Sequence, residues 1–94
     1  MKHNIIVKWN EKVGNKTEML QKVRKQFASC AELAGVHGVQ VIPNCIDRAN
    51  RYDVMIAIDM ERNALEKWDE SEIHKTWKRD FGDFIAQKAI FDFE

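Results

Sequence analysis

RYDVMIAIDM, residues 51–60, is the most regular stretch of the chain, because its apolar side chains recur at every second position. In an extended chain such side chains point to alternate faces of a sheet. The pattern predicts a β-strand with one apolar face and one mixed face. The apolar face carries Val54, Ile56, Ile58 and Met60, and the other carries Asp53, Met55, Ala57 and Asp59.

Three further segments are typical of strands. Residues 3–9 are rich in β-branched side chains, and His3, Ile5, Val7 and Trp9 share one face. Residues 38–44 form a second strand, in which Pro43 indicates an edge or a strand end. Residues 88–93 form the last strand, whose orientation the sequence leaves open.

The segments between the strands have helical spacing. Asn15, with Glu18 three residues later, predicts a helix start, and Gly35 predicts its end. A short helix follows the third strand, and Ser71 then caps the last helix. The residues predicted to face inward are Leu20, Val23, Phe27, Cys30, Ala31 and Ala34, then Ala64, Leu65 and Trp68, then Ile73, Trp77, Phe81, Phe84 and Ile85.

The order of elements predicts an α+β, ferredoxin-like βαββαβ fold with a four-stranded antiparallel sheet, as one domain over residues 1–94. Helices would cover one face of this sheet. The other face would be more apolar than a solvated sheet, so we expect a second copy to cover it and form a dimeric α/β barrel. Its residues would be Ile6, Met55 and Ala57 with Asn4, Lys8, Asp53 and Asp59, and one or both of Phe91 and Phe93.

Composition narrows the classes of partner. Fifteen basic residues balance fifteen acidic ones, so no net charge draws the chain to nucleic acid or to a membrane, and no partner of either kind is expected. Cys30 and Cys45 lack metal or redox spacing and, without a signal peptide, are expected to be reduced thiols in a cytoplasmic protein. The histidines lie in separate elements and no phosphate loop occurs, so we expect no metal and no cofactor.

Six short motifs follow one another along the chain: His3 before an Ile/Val-rich strand, Gly38-Val39, Pro43-Asn44, Arg51-Tyr52-Asp53, His74, and Phe91-Asp92-Phe93. In this order they resemble the stress-responsive A/B-barrel domain (Dabb) family of the dimeric α/β-barrel superfamily. The resemblance covers nearly the whole chain and implies a homodimer with facing sheets.

The family includes stress-associated proteins and a polyketide cyclase, in which a histidine matching His74 acts as general base beside a tyrosine. Trp68 stands where that tyrosine would fall. An indole donates a hydrogen bond but has no hydroxyl to share a proton, so the cyclase reaction does not follow from the resemblance alone.

His74 and His3 are the candidate catalytic residues. His74 lies beside the apolar stripe of the last helix, where it would serve as a general base or, alternatively, as a structural histidine at a helix start. His3 would reach the same cleft if it does not fray at its strand end, and Asp92 would orient one of the two. A small apolar or aromatic ligand would contact Ile5, Val7, Trp9, Phe27, Tyr52, Ile56, Trp68, Trp77, Phe81 and Asp92, although such aromatics more often form a core.

Three functions are consistent with this pattern, and the sequence leaves open whether the domain is an enzyme. The first is cofactor-independent chemistry on a small aromatic or polyketide-like substrate, with His74 as base. The second is a non-catalytic stress or assembly protein. The third, RNA binding, is disfavoured because residues 51–55 put acid and Met where stacking rings are needed.

Overall fold

The computed structural model describes residues 1–94, which form the predicted ferredoxin-like fold. The strands pair antiparallel in the order β2-β3-β1-β4, which makes β2 and β4 the edges. No helix combines the length and apolar character of a membrane span. The elements are β1 Lys2–Trp9, α1 Lys16–Phe27, β2 Val36–Pro43, β3 Val54–Met60, α2 Leu65–Glu70, α3 Glu72–Phe81 and β4 Ile85–Phe93, with 3₁₀ turns at Cys30–Glu32, Arg62–Ala64 and Gly82–Phe84.

The central strands alternate as predicted, but β3 starts at Val54 and not at Arg51. The alternating pattern predicted that Asp53 lies on the uncovered face beside Met55, but its side chain does not lie there. Its carboxylate accepts hydrogen bonds from the Trp9 backbone N–H at 2.8 Å and from the Lys16 ammonium at 2.9 Å. These two bonds hold the end of β1, the start of α1 and the loop before β3 together.

Helix α1 begins where predicted and ends earlier. The Asn15 side chain accepts a hydrogen bond from the Glu18 backbone N–H at 3.0 Å. The helix stops at Phe27, and a 3₁₀ turn then buries Cys30 while Ala31 and Ala34 stay exposed. Tertiary packing overrides the helical spacing here, since a tighter turn suffices to bring Cys30 into the core.

Gly35 adopts the predicted left-handed conformation, with φ of +83°. A Cβ at this position would lie 2.8 Å from the Ala64 Cβ. Glycine is therefore required both for its backbone angle and for the close approach of the chain before β2 to the turn before α2.

The connection between α3 and β4 also differs from its prediction. The α-helix ends at Phe81, so Phe84 lies in a 3₁₀ turn and Ile85 opens β4. β1 extends to Trp9 and offers backbone partners to this segment: Ile85 pairs with Trp9, and the Phe84 carbonyl accepts from the Asn10 N–H at 2.8 Å. Pairing with β1 therefore determines the structure of this segment, although Phe84 and Ile85 have helical spacing in the sequence.

One continuous core lies between the helices and the sheet. Its centre is an aromatic cluster in which the Phe27 ring lies 5.8 Å from Trp68 and 5.1 Å from Trp77, and Trp77 stacks on Phe81 at 4.9 Å. Cys30 is completely buried in the same core, and this burial raises the pKa of its thiol to about 11. Both cysteines are free, and only Cys45 is exposed.

The second face of the sheet carries no helix, and we call it the open face. Register fixes the orientation of β4: Phe91 pairs with Asn4 and Phe93 with Lys2, so both phenylalanines belong to the open face. They are 62% and 51% exposed. The open face consists of Lys2, Asn4, Ile6, Lys8, Gly38, Gln40, Ile42, Met55, Ala57, Asp59, Gln87, Ala89, Phe91 and Phe93.

Asp53→Asn tests whether the bonds at the end of β1 stabilise the fold. Because the amide weakens the acceptor for the Trp9 N–H and removes the ion pair with Lys16, we expect the free energy of unfolding to fall by about 1–2 kcal/mol in urea denaturation. Asp47→Asn is the matched control, because the Asp47 side chain is 96% exposed and 3.7 Å from the same ammonium. An equal loss in both variants would contradict a special role of Asp53.

Candidate functional site

His3 and Asp92 form a hydrogen-bonded pair on the helix-covered face of the sheet. They are direct cross-strand partners on β1 and β4, and the His3 Nδ1 lies 2.5 Å from the Asp92 Oδ1. Because an ionised carboxylate only accepts hydrogen bonds, Nδ1 carries the proton. The His3 side chain is 7% exposed, so the pair is fixed within the structure and does not fray at the strand end.

His74 lies in the first turn of α3, where the local sequence fixes its ring. The Ser71 hydroxyl accepts from the His74 backbone N–H at 3.2 Å, and Ser71 is the only residue between α2 and α3. The Asp69 carbonyl is therefore near enough to accept from Nδ1 at 2.9 Å. The imidazole also packs against the Trp68 ring, with 5.0 Å between centroids. In the neutral imidazole this arrangement leaves the lone pair on Nε2.

Both histidines and Asp92 line one cavity of about 280 Å³ between the sheet and the α2–α3 pair, which we call the histidine cavity. The structure thus brings together three residues that lie far apart in sequence. Two imidazoles and a carboxylate around one space can move a proton and stabilise the charge that results. The other lining residues are Ile5, Leu65, Asp69, Trp77, Lys88 and Ile90.

Of the ten predicted ligand contacts, three line the histidine cavity and seven do not. Ile5, Trp77 and Asp92 line the histidine cavity. Four others do not, because they fill the core: Val7, Ile56, Phe27 and Trp68 are between 0% and 1% exposed. Helical and strand spacing shows which side chains point inward, but a ligand can reach only those beside a gap in the packing.

Three further predicted contacts lie at other cavities. Trp9 lines a cavity of about 240 Å³ with Lys16 and Asp53. Tyr52 lines a recess of about 130 Å³ on the other side of the sheet, beside Ile6 and Met55. Phe81 lines the groove between α1 and α3. None of the three shares a cavity with the histidines.

Sequence reasoning missed four residues of the histidine cavity: Leu65, Asp69, Lys88 and Ile90. Lys88 and Ile90 share the face of β4 that carries Asp92, because side chains alternate along a strand. Their omission follows from the unknown orientation of that strand. Only its pairing with β1 fixes the orientation, and the sequence of β4 alone does not give it.

The largest concavity is a groove of about 630 Å³ between α1 and α3, on the outer surface of the helices. It contains no histidine or cysteine. Its apolar floor includes Met19 and Ile73, and its rims carry lysines and carboxylates, so it lacks a neutral base. The two candidate catalytic histidines therefore lie in the smaller histidine cavity and not in this groove.

Solved structures with this fold cover almost the whole chain. A dimeric protein of unknown function with a ferredoxin-like fold from Bacteroides fragilis has a TM-score of 0.80 at 13% identity, covering 99% of this chain and 93% of its own. A Dabb family protein with a ferredoxin-like fold from Mesorhizobium loti has a TM-score of 0.73 at 11% identity, covering 99% and 93%. A putative antibiotic biosynthesis monooxygenase from Nitrosomonas europaea has a TM-score of 0.70 at 16% identity, covering 98% and 88%.

These likenesses establish the fold, which is the one that the resemblance to the Dabb family predicted. No family model and no curated protein sequence matches the chain. The roles of the site residues consequently rest on the geometry of the chain itself.

Proposed function

We propose that the protein is a homodimeric A/B-barrel domain that binds a small carbonyl compound in the histidine cavity and abstracts a proton from it, with His74 as the general base. The observation that carries this proposal is the convergence of His74 with the His3–Asp92 pair on one cavity of about 280 Å³. The reaction class is enolisation, which is also the first step of an intramolecular aldol cyclisation.

The open face supports the homodimer. Phe91 and Phe93 surround a recess of about 500 Å³ with Ile6, Met55 and Ala57, and a sheet face of this kind is normally covered. Its charged residues are already partnered, since the Lys2 ammonium bonds Asp59 at 2.9 Å. The neighbour from Bacteroides fragilis is described as dimeric, which supports self-association, and in our proposal the open face is the interface.

Each polar group of the cavity has a distinct task. The Asp69 carbonyl holds the His74 proton on Nδ1, so that Nε2 faces the reaction as the base. Asp92 accepts from the His3 Nδ1–H and orients the ring, and in the protonated ring the Nε2–H would donate to the substrate oxygen as negative charge develops there. His3 can in this way supply the proton that Trp68, with no hydroxyl, cannot share. A cytoplasmic location, where both thiols stay reduced, fits this proposal.

Hydrogen exchange beside a ketone tests the proposal directly. The probe is 7-oxooctanoate in D₂O, with the loss of the C–H signals next to the ketone followed by proton NMR. Because positioned general bases contribute about 10²–10⁴-fold, we expect exchange at least about 100-fold faster than with the same concentration of free 4-methylimidazole. No binding of the probe at millimolar concentration, together with exchange no faster than with free imidazole, would overturn the proposal.

A non-catalytic assembly protein is the second candidate. It is favoured by the aromatic cluster, because Trp68 and Trp77 are only 1% exposed and fill most of the space beneath the helices. This candidate predicts a stable dimer that neither binds the ketone nor accelerates its exchange. The same NMR experiment therefore separates the two functions.

A further inference from the structure

We infer that the histidine cavity takes an anionic ligand, a medium-chain oxo acid, whose carboxylate binds Lys88 while its ketone lies between His3 and His74. The inference rests on the proposed function, which requires a ligand in this cavity, and it adds the ligand's charge and orientation.

The strand register places Lys88 and the His3–Asp92 pair at opposite ends of the cavity floor. Lys88, Ile90 and Asp92 follow one another on one face of β4, opposite Val7, Ile5 and His3 of β1. Four residues of antiparallel strand span about 14 Å. Helix α3 runs back over β4, so that His74 in its first turn and Trp77 one turn later both line the same cavity.

Charges in the cavity favour an anion only at the Lys88 end. The Asp92 carboxylate is paired with His3. The second acid of the lining, Asp69, lies beside His74, which its backbone carbonyl binds. Both acids thus lie on the histidine side and repel a second anion there. Lys88 takes part in none of the ion pairs of the protein, so its ammonium is available to a ligand.

The middle of the cavity is apolar. Ile5 and Ile90 lie between the two ends on the strands, and Leu65 and Trp77 cover them from the helices. A chain of methylene groups fits this stretch, because it buries apolar surface and makes no unmet hydrogen bond. Lys88 and Asp92 lie about 14 Å apart along β4, so a ligand that extends from the Lys88 end towards the imidazoles needs a chain of several methylenes. 7-Oxooctanoate, with five methylenes between ketone and carboxylate, is the probe.

Lys88→Met tests the inference, because methionine keeps the length and apolar stem of the side chain and removes its charge. The probes are 7-oxooctanoate and its neutral analogue 7-oxooctanamide, with affinities measured by calorimetry. We expect the wild type to bind the acid about tenfold more tightly than the amide, and Lys88→Met to lose this preference without weakening the amide. Lys88→Arg should retain it. Lys78→Met is the matched control, since Lys78 is an exposed lysine of α3 outside the cavity.

The outcomes separate the two proposals. Equal binding of acid and amide by the wild type, unchanged in Lys88→Met, would overturn the inference and leave the proposed function standing. Binding of neither probe by the wild type would overturn both. If Lys78→Met also abolishes the preference for the acid, the preference comes from surface charge, and the role of Lys88 is contradicted.

Discussion

Phe91→Asp should convert the protein from a dimer into a folded monomer. In the single chain Phe91 is 62% exposed, and its one aromatic contact is with the Phe93 ring on the same surface, so an aspartate there disturbs little within the protomer. In the proposed dimer it would place a carboxylate on each of two facing sheets. Losing two buried aromatic rings and desolvating two charges costs on the order of 5 kcal/mol or more, which raises the dissociation constant by more than three orders of magnitude. Sedimentation at micromolar concentration measures this change.

The neighbouring residue provides a control of opposite orientation. Ile90 lies on the same strand and is 49% exposed, but it points to the helix-covered face. Ile90→Asp should therefore remain dimeric, although it alters the histidine cavity. If both variants dissociate, the cause is a general disturbance of β4. If Phe91→Asp stays dimeric, the open face is not the interface, and the homodimer proposal fails.

The fold could be predicted because the strand and helix periods are strong where side chains are fully buried. Val54, Ile56 and Ile58 alternate without exception, and the register of β3 against β1 follows from them. The element ends were less predictable, because they depend on partners distant in sequence. Ile85 is a strand residue because Trp9 pairs with it, and the Asp53 side chain turns away from the open face to bind Lys16 and the Trp9 N–H.

The two histidines and Asp92 of the histidine cavity could be identified from the sequence, but its complete apolar lining could not. His3 and His74 were predicted at or beside the inner faces of their elements, whereas the orientation of Asp92 was left open; the structure places all three at one cavity. The sequence could not show which apolar neighbours line that cavity. A buried ring such as Phe27 and a cavity-lining ring such as Trp77 have the same helical spacing, and they differ only in whether the packing beside them is complete.

His74→Gln should abolish exchange beside the ketone and leave the dimer folded. Glutamine approximates the size of the imidazole, but it cannot accept a proton at neutral pH. The rate constant should fall by about 10²–10⁴-fold, to the level of the background reaction. The affinity for 7-oxooctanoate should change little, because the proposed contact of the carboxylate is Lys88.

His37→Gln is the matched control for His74→Gln. His37 is the one histidine outside the cavity, and it pairs with Glu61 on the exposed surface, so its substitution should leave exchange unchanged. Asp92→Asn should give an intermediate loss, because it keeps a hydrogen-bond acceptor for His3 but removes the charge that stabilises the imidazolium.

The combination of His74→Gln and Asp92→Asn separates general-base catalysis from a purely structural effect. If the two groups act on one proton transfer, the double variant should be no slower than His74→Gln alone, since the base is already gone. If the losses in the exchange rate constant from the two single variants multiply in the double variant, Asp92 acts on binding or on the fold, independently of His74. Full exchange activity in His74→Gln would remove His74 from the mechanism and leave the His3–Asp92 pair as the remaining candidate base.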